Sequence, residues 1–132
     1  TLETVNDQVK YFGYVPDDQQ LADIYASADV FTLPSYRVDG WEELFGIVVI
    51  EALACGLPVV ATDCVGPTEI IDDGETGYIV DQHDVDKLRN RLERIVNDPK
   101  QQAQMSKRAR EVALERYDNS HVADQWQQVL EV

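Results

Sequence analysis

Apolar and polar positions along the 132-residue chain alternate between short hydrophobic runs and amphipathic stretches. Val9 to Val15 (VKYFGYV) is rich in β-branched and aromatic residues and leads into Pro16, which predicts a strand. Asp17 or Asp18 can cap a following helix whose apolar positions Leu21, Ile24, Tyr25 and Ala28 keep helical spacing. Val30 to Leu33 reads as a short strand closed by Pro34, and Ser35 to Glu42 as a polar loop carrying Arg37, Asp39, Gly40 and Trp41. A helix from about Gly46 to Cys55 ends at Gly56, with Pro58 just beyond. Val59 to Thr62 is apolar throughout, as a strand covered on both faces should be. Val65-Gly66-Pro67 predicts a loop, Thr68 to Ile71 a helical turn, Asp73-Gly74 a tight turn and Gly77 to Val80 a fourth strand.

Three amphipathic helices complete the pattern, all with stripes expected to face the core. The first has Val85, Leu88, Leu92 and Ile95 on one face, with Asp84 as its cap and Asn97-Asp98-Pro99 as its stop. The second uses Met105, Ala109, Val112 and Ala113, the third Val122, Trp126, Val129 and Leu130. Thr1 to Gln8 reads as a helix end or a linker. Strands alternating with helices predict an α/β fold, a Rossmann-like parallel sheet with right-handed crossovers and helices on both faces. Ligands of such sheets lie beyond the carboxyl ends of the strands, near a helix N-terminus. The loop after Leu33 and the helix start at Gly46 have that placement.

One run is long enough to raise a membrane question. Leu44 to Ala61 approaches transmembrane length, but Glu51 sits inside it and Gly56-Leu57-Pro58 interrupts it, so a buried helix followed by a buried strand is expected. Cys55 and Cys64 have no metal-ligand spacing and are expected to be reduced thiols.

Charge narrows the partners. The net charge of −14 is uneven: residues 1–86 hold 18 Asp/Glu against Lys10 and Arg37, a balance of −16, and residues 87–132 a balance of +2. No basic stripe marks a nucleic-acid partner. An anionic ligand must then be met by backbone amides, by Arg37, or by groups outside this chain.

Glu51 is the one carboxylate within an apolar run, and burying it unpaired costs several kcal/mol, so it needs a partner. Glu43 lies eight residues earlier, before the helix start. At ~1.5 Å per helical residue the two carboxylates are about 8–12 Å apart. That suits two ends of an extended ligand better than a hydrolytic pair. Between them, Phe45, Gly46, Ile47 and Val48 offer amides at a helix N-terminus, where an anion is favoured. Spacing alone leaves open that Glu43 is a solvated loop charge and that Glu51 pairs with Arg37 or a backbone donor.

At these residues the sequence resembles the C-terminal domain of retaining glycosyltransferases of the GT-B fold, the group-1 family. The E-x7-E pattern stands as Glu43-Leu44-Phe45-Gly46-Ile47-Val48-Val49-Ile50-Glu51 and continues through Ala52, Ala54, Gly56 and Pro58 to Thr62. Phe12-Gly13, Leu21, Tyr25, Ala28-Asp29, Pro34-Ser35, Gly66, Glu69-Ile70-Ile71, Asp73-Gly74 and Gly77 follow in the family's order. Two departures stand out: Leu44 replaces the usual glycine, and Pro67 the second glycine after Gly66.

The resemblance implies transfer of a glycosyl group from a UDP-, GDP- or similar nucleotide-sugar to a carbohydrate, lipid or other acceptor, with retention and no obligatory metal or cofactor. It implies that Glu43 is catalytic, that Phe45, Gly46, Ile47 and Val48 face the donor sugar or diphosphate, that Glu51 binds the ribose, and that Tyr14 and Val15 lie by the base. Arg37 and Trp41 are candidate sugar or acceptor contacts. The family's Gly-Arg and Lys-Gly elements and its N-terminal acceptor domain have no counterpart in the sequence. Residues 1–132 are therefore expected to be a single donor-binding domain, part of a longer protein, inactive alone, cytoplasmic, with peripheral membrane association through other parts. Competing expectations are a non-catalytic nucleotide-sugar-binding or regulatory module, a CheY-like or flavodoxin-like module, and a GT-B sugar-nucleotide epimerase. The CheY-like reading needs a Lys at a strand end, and none occurs between Lys10 and Lys87.

Overall fold

A computed structural model describes residues 8–130 of the chain; the helix end or linker expected over Thr1 to Gln8 lies, apart from Gln8, outside them. Element order is α1 (Asp18–Ala26), β1 (Phe31–Leu33), α2 (Ile47–Ala54), β2 (Val59–Thr62), α3 (Val65–Ile70), β3 (Gly77–Val80), α4 (Val85–Val96), α5 (Pro99–Tyr117) and α6 (Asn119–Leu130). The three strands form one parallel sheet in the order β1-β2-β3, so the expected Rossmann-like α/β class holds. Phe31 pairs with Val59 and Leu33 with Ala61, while Val59 pairs with Gly77 and Thr62 with Val80.

The sheet is packed on both faces, by α2 and α5 on one side and by α4 and α5 on the other. All four β2 residues are buried. Alternation sends Val59 and Ala61 to one face, against Val49, Ala52 and Leu53 of α2 and Ala109 and Ala113 of α5. Val60 goes to the other face, with Tyr78, Val80, Ile95 of α4 and Met105 of α5. Burial of a Leu or Ile side chain such as Leu53 or Ile95, both fully inaccessible, is worth about 1.5–3 kcal/mol. Two caps fall where the sequence puts them: Asp17 accepts from the Gln20 amide and Asp84 from Lys87; the expected stop Asn97-Asp98-Pro99 also starts α5, with Asp98 accepting from the Gln101 amide and Pro99 opening the helix.

Four expectations are corrected. Val9 to Val15 forms no strand; the segment pairs with none of the three strands, and β-rich composition without a neighbouring ladder leaves its backbone irregular. Val65-Gly66-Pro67 is not a loop but the first turn of α3, where a proline lacks only an N–H that has no intrahelical acceptor anyway. The stripe of α6 is exposed: Trp126, Val129 and Leu130 are each more than 60% accessible, because α6 touches α5 alone among the major element contacts. Burial of α2 is one-sided, since Val49, Ala52 and Leu53 go inside while Ile47 is 63% accessible. Among the described residues, no helix is long and apolar enough to cross a membrane, and Cys55 and Cys64 are free thiols.

Candidate functional site

The site lies where the loops after β1 and β2 meet the start of α2. Gly46 is the N-cap of α2, with φ 62° and ψ 35°, the left-handed region that glycine enters without a Cβ penalty. Its carbonyl accepts the first helical bond, from Val49 at 2.8 Å, so the Ile47 and Val48 amides precede the hydrogen-bonded ladder. The Glu43 carboxylate folds back on this helix start: its Oε1 accepts the Gly46 amide at 3.0 Å. Glu43 and the cradle amides are thus brought together, and the first of those amides is engaged by Glu43 itself.

Helix α3 fixes this loop from below. The Gly66 amide donates to the Glu43 carbonyl at 3.0 Å. A Cβ on Gly66 would lie 2.7 Å from the Phe45 carbonyl carbon and 2.9 Å from the Gly46 nitrogen, so only glycine lets the two backbones touch. Glu42 supplies a second tie: its Oε1 accepts the Val65 amide at 3.2 Å, and its two oxygens take Nη2 and Nε of Arg37 at 2.7 and 2.9 Å. That forked pair holds the Glu42 carboxyl below its ordinary range and raises the Arg37 guanidinium. The Arg37 side chain is therefore paired with Glu42 and not with Glu51.

The same loop is laced to the ends of the other strands. The Arg37 amide donates to Gln82 Oε1 at 2.7 Å, the Gln82 amide to Asp63 Oδ1 at 3.1 Å, and the Asp63 amide to the Val80 carbonyl at 3.0 Å. Within the polar loop that the sequence predicts, Val38 and Trp41 exchange both backbone hydrogen bonds across Asp39-Gly40, making a small hairpin. Trp41 stands half exposed on it.

Glu51 occupies the other end of the site. Its partner is Tyr25 of α1, whose hydroxyl donates to Oε2 at 3.0 Å, which replaces both partners left open by the sequence. The two side chains line a cleft of about 370 Å³ between α1 and α2, with Asp18, Leu21, Ala22, Ala54 and Cys55. Burial and the Glu51 carboxylate push the Tyr25 hydroxyl up to about 12. Glu43, Arg37, Trp41, Tyr14 and Val15 do not line that cleft. Tyr14 is 90% accessible, and Phe45, Ile47 and Val48 also present open surface.

Sequence reasoning passed over three residues. Tyr25 reads as one more member of an apolar stripe, although a hydroxyl on that stripe is the kind of partner the lone Glu51 requires. Glu42 lies outside the E-x7-E spacing and reads as a bystander, yet it ties the loop to α3. Gly66 carries a family match but no physical reason until the approach of Phe45 is seen.

Comparison with known proteins bears on the fold and the family. The D-inositol 3-phosphate glycosyltransferase of Rhodococcus erythropolis is 38% identical over 106 residues, 80% of this chain and 23% of that protein. The chain thus spans about a quarter of the length of the curated relatives it matches. Among solved structures, a sucrose-phosphate synthase from Thermosynechococcus elongatus superposes with a TM-score of 0.83 at 34% identity, over 95% of this chain and 30% of the synthase. Anabaena HepE in complex with UDP gives a TM-score of 0.80 at 28% identity, over 92% of this chain and 32% of HepE. HepE in complex with UDP-glucose gives 0.71 at 27% identity, over 82% and 29%. The family model described as "Glycosyl transferases group 1" matches residues 2–112, and the chain belongs to that family.

Proposed function

We propose that this chain is the donor-binding half of a retaining glycosyltransferase, which moves a sugar from a nucleoside-diphosphate donor to an acceptor hydroxyl bound largely by other parts of the protein. The observation that carries the reading is the pair of glutamates set around the start of α2. Glu43 sits on the Gly46 amide at 3.0 Å, and Glu51 faces the α1–α2 cleft. The UDP and UDP-glucose complexes of the similar HepE support a nucleotide-sugar as the donor class.

In this reading the Glu51 carboxylate accepts hydrogen bonds from the ribose hydroxyls, with Tyr14 and Val15 toward the base. The Gly46, Ile47 and Val48 amides and the positive end of the α2 dipole meet the diphosphate or sugar oxygens. Glu43 leaves the Gly46 amide as the donor enters, and its carboxylate then lies by the anomeric carbon. As the bond from that carbon to the diphosphate breaks and the acceptor oxygen attacks, its proton passing to the departing diphosphate oxygen, Glu43 offsets the positive charge that develops. No metal takes part in this scheme. With Arg37 held by Glu42, further cations for the diphosphate come from outside this chain. Arg37 and Trp41 bear on sugar or acceptor from the loop they share.

The test is Glu43→Ala in the active protein that carries this chain. Turnover is expected to fall on the order of a hundredfold or more, with donor binding little changed. Transfer at near wild-type rates in that variant would remove Glu43 from catalysis.

A further inference from the structure

The geometry points to Tyr25 as the residue that positions Glu51, its hydroxyl holding the carboxylate for the donor's ribose. The inference rests on the ribose role of Glu51 proposed above and adds a residue to that site.

A flexible glutamate facing a cleft has several rotamers, and a ligand that needs one of them loses affinity in proportion to the others. Tyr25 removes that freedom. Its hydroxyl donates to Oε2 of Glu51 at 3.0 Å, a charge-assisted bond. The bond works as a positioning device only if the tyrosine itself is fixed, and it is. The Tyr25 ring packs on Phe31 at 5.8 Å between centroids with the planes tilted by 58°. Phe31 opens β1 and is itself pinned, its amide donating to the Pro58 carbonyl at 2.9 Å and its backbone paired with Val59. A chain of contacts thus runs from the sheet through Phe31 and Tyr25 to the Glu51 carboxylate. The hydroxyl keeps its proton up to about pH 12, so it donates at any working pH.

A ring that only filled space would not need this bond, and Tyr25→Phe separates the two cases because it keeps the ring and removes the hydroxyl. UDP, GDP and ADP are titrated by calorimetry into the protein that carries this chain, and the tightest of the three is then compared with its 2′-deoxy analogue in wild type, Tyr25→Phe and Glu51→Gln. Expected are about tenfold weaker binding of the ribonucleotide in Tyr25→Phe and a matching fall in its preference over the deoxy analogue. That preference is a ratio measured on one sample, so loss of folded protein does not move it. If Glu51→Gln loses the preference and Tyr25→Phe keeps it, the positioning role is overturned while the ribose role stands. If Glu51→Gln keeps it too, the ribose role fails and Tyr25 with it. Binding of none of the three nucleotides overturns both.

Discussion

Gly66→Ala is the sharpest perturbation of this site that leaves every charge in place. The added methyl would sit 2.7, 2.8 and 2.9 Å from the carbonyl carbon and nitrogen of Phe45 and the nitrogen of Gly46, against 3.4 Å or more for ordinary contact. All three neighbours are backbone, so no side chain can swing aside. Relief requires the Phe45-Gly46 peptide and the first turn of α3 to part by at least half an ångström. That strains the Gly66 amide bond to the Glu43 carbonyl. Overpacking of this kind costs about 1–3 kcal/mol. For a chain of this size each kcal/mol corresponds to roughly 3–6 °C in Tm. Differential scanning calorimetry should therefore show a fall of at least about 3 °C, and calorimetric titration a weaker donor nucleotide, since the displaced peptide carries the cradle amides. A Tm and an affinity both equal to wild type would show that the backbones are not in contact, and the account of this loop would fail.

Other perturbations test separate links. Leu53→Ala, at a fully buried position of α2, should cost about 2–5 kcal/mol in chemical denaturation, whereas Trp41→Ala, half exposed on a hairpin closed by backbone bonds, should leave the transition midpoint unchanged. The Glu42 carboxyl titrates below its ordinary value of 4.5 in the folded protein. Its contribution to stability is therefore present above that value and lost as pH falls beneath it. The difference in Tm between wild type and Glu42→Gln, clear at neutral pH, should shrink as the pH is lowered through that range. Tyr25, raised from 10.0 to about 12, has the opposite sign: its contribution is full below pH 10 and lost between pH 10 and 12. Tyrosinate absorbance should show one late-titrating tyrosine that Tyr25→Phe removes; an unchanged titration curve in that variant would contradict the Tyr25–Glu51 bond.

The fold was legible wherever a local rule and a global one agreed. Asp17, one of the two caps expected for α1, and Asp84, the cap expected for α4, are found in place because a cap is a contact of three residues' span. The all-apolar run Val59 to Thr62 proved to be the middle strand, since a strand with packing on both faces has no polar side. Misreadings came where the answer depended on a distant neighbour. Val9 to Val15 has strand composition but no strand beside it, and pairing is not written in composition. Gly66-Pro67 reads as a loop by residue type alone. In the candidate site, the glycine signal correctly put the start of α2 between Glu43 and Glu51. Spacing could not show that Arg37 is taken by Glu42, or that Tyr25, 26 residues upstream, supplies the partner of Glu51. Those pairings are set by the crossing of elements, which spacing along one segment does not encode.

The central claim, that the start of α2 and its two glutamates receive a nucleotide-sugar, is met most directly by nuclear magnetic resonance of the labelled chain titrated with UDP-glucose and GDP-mannose. The account predicts that one donor shifts the amides of Gly46, Ile47 and Val48 most strongly, together with Glu51 and the Tyr25 ring. Saturable shifts confined to another cleft, such as that lined by Pro34, Tyr36 and His83, with the α2 amides unmoved, would contradict it.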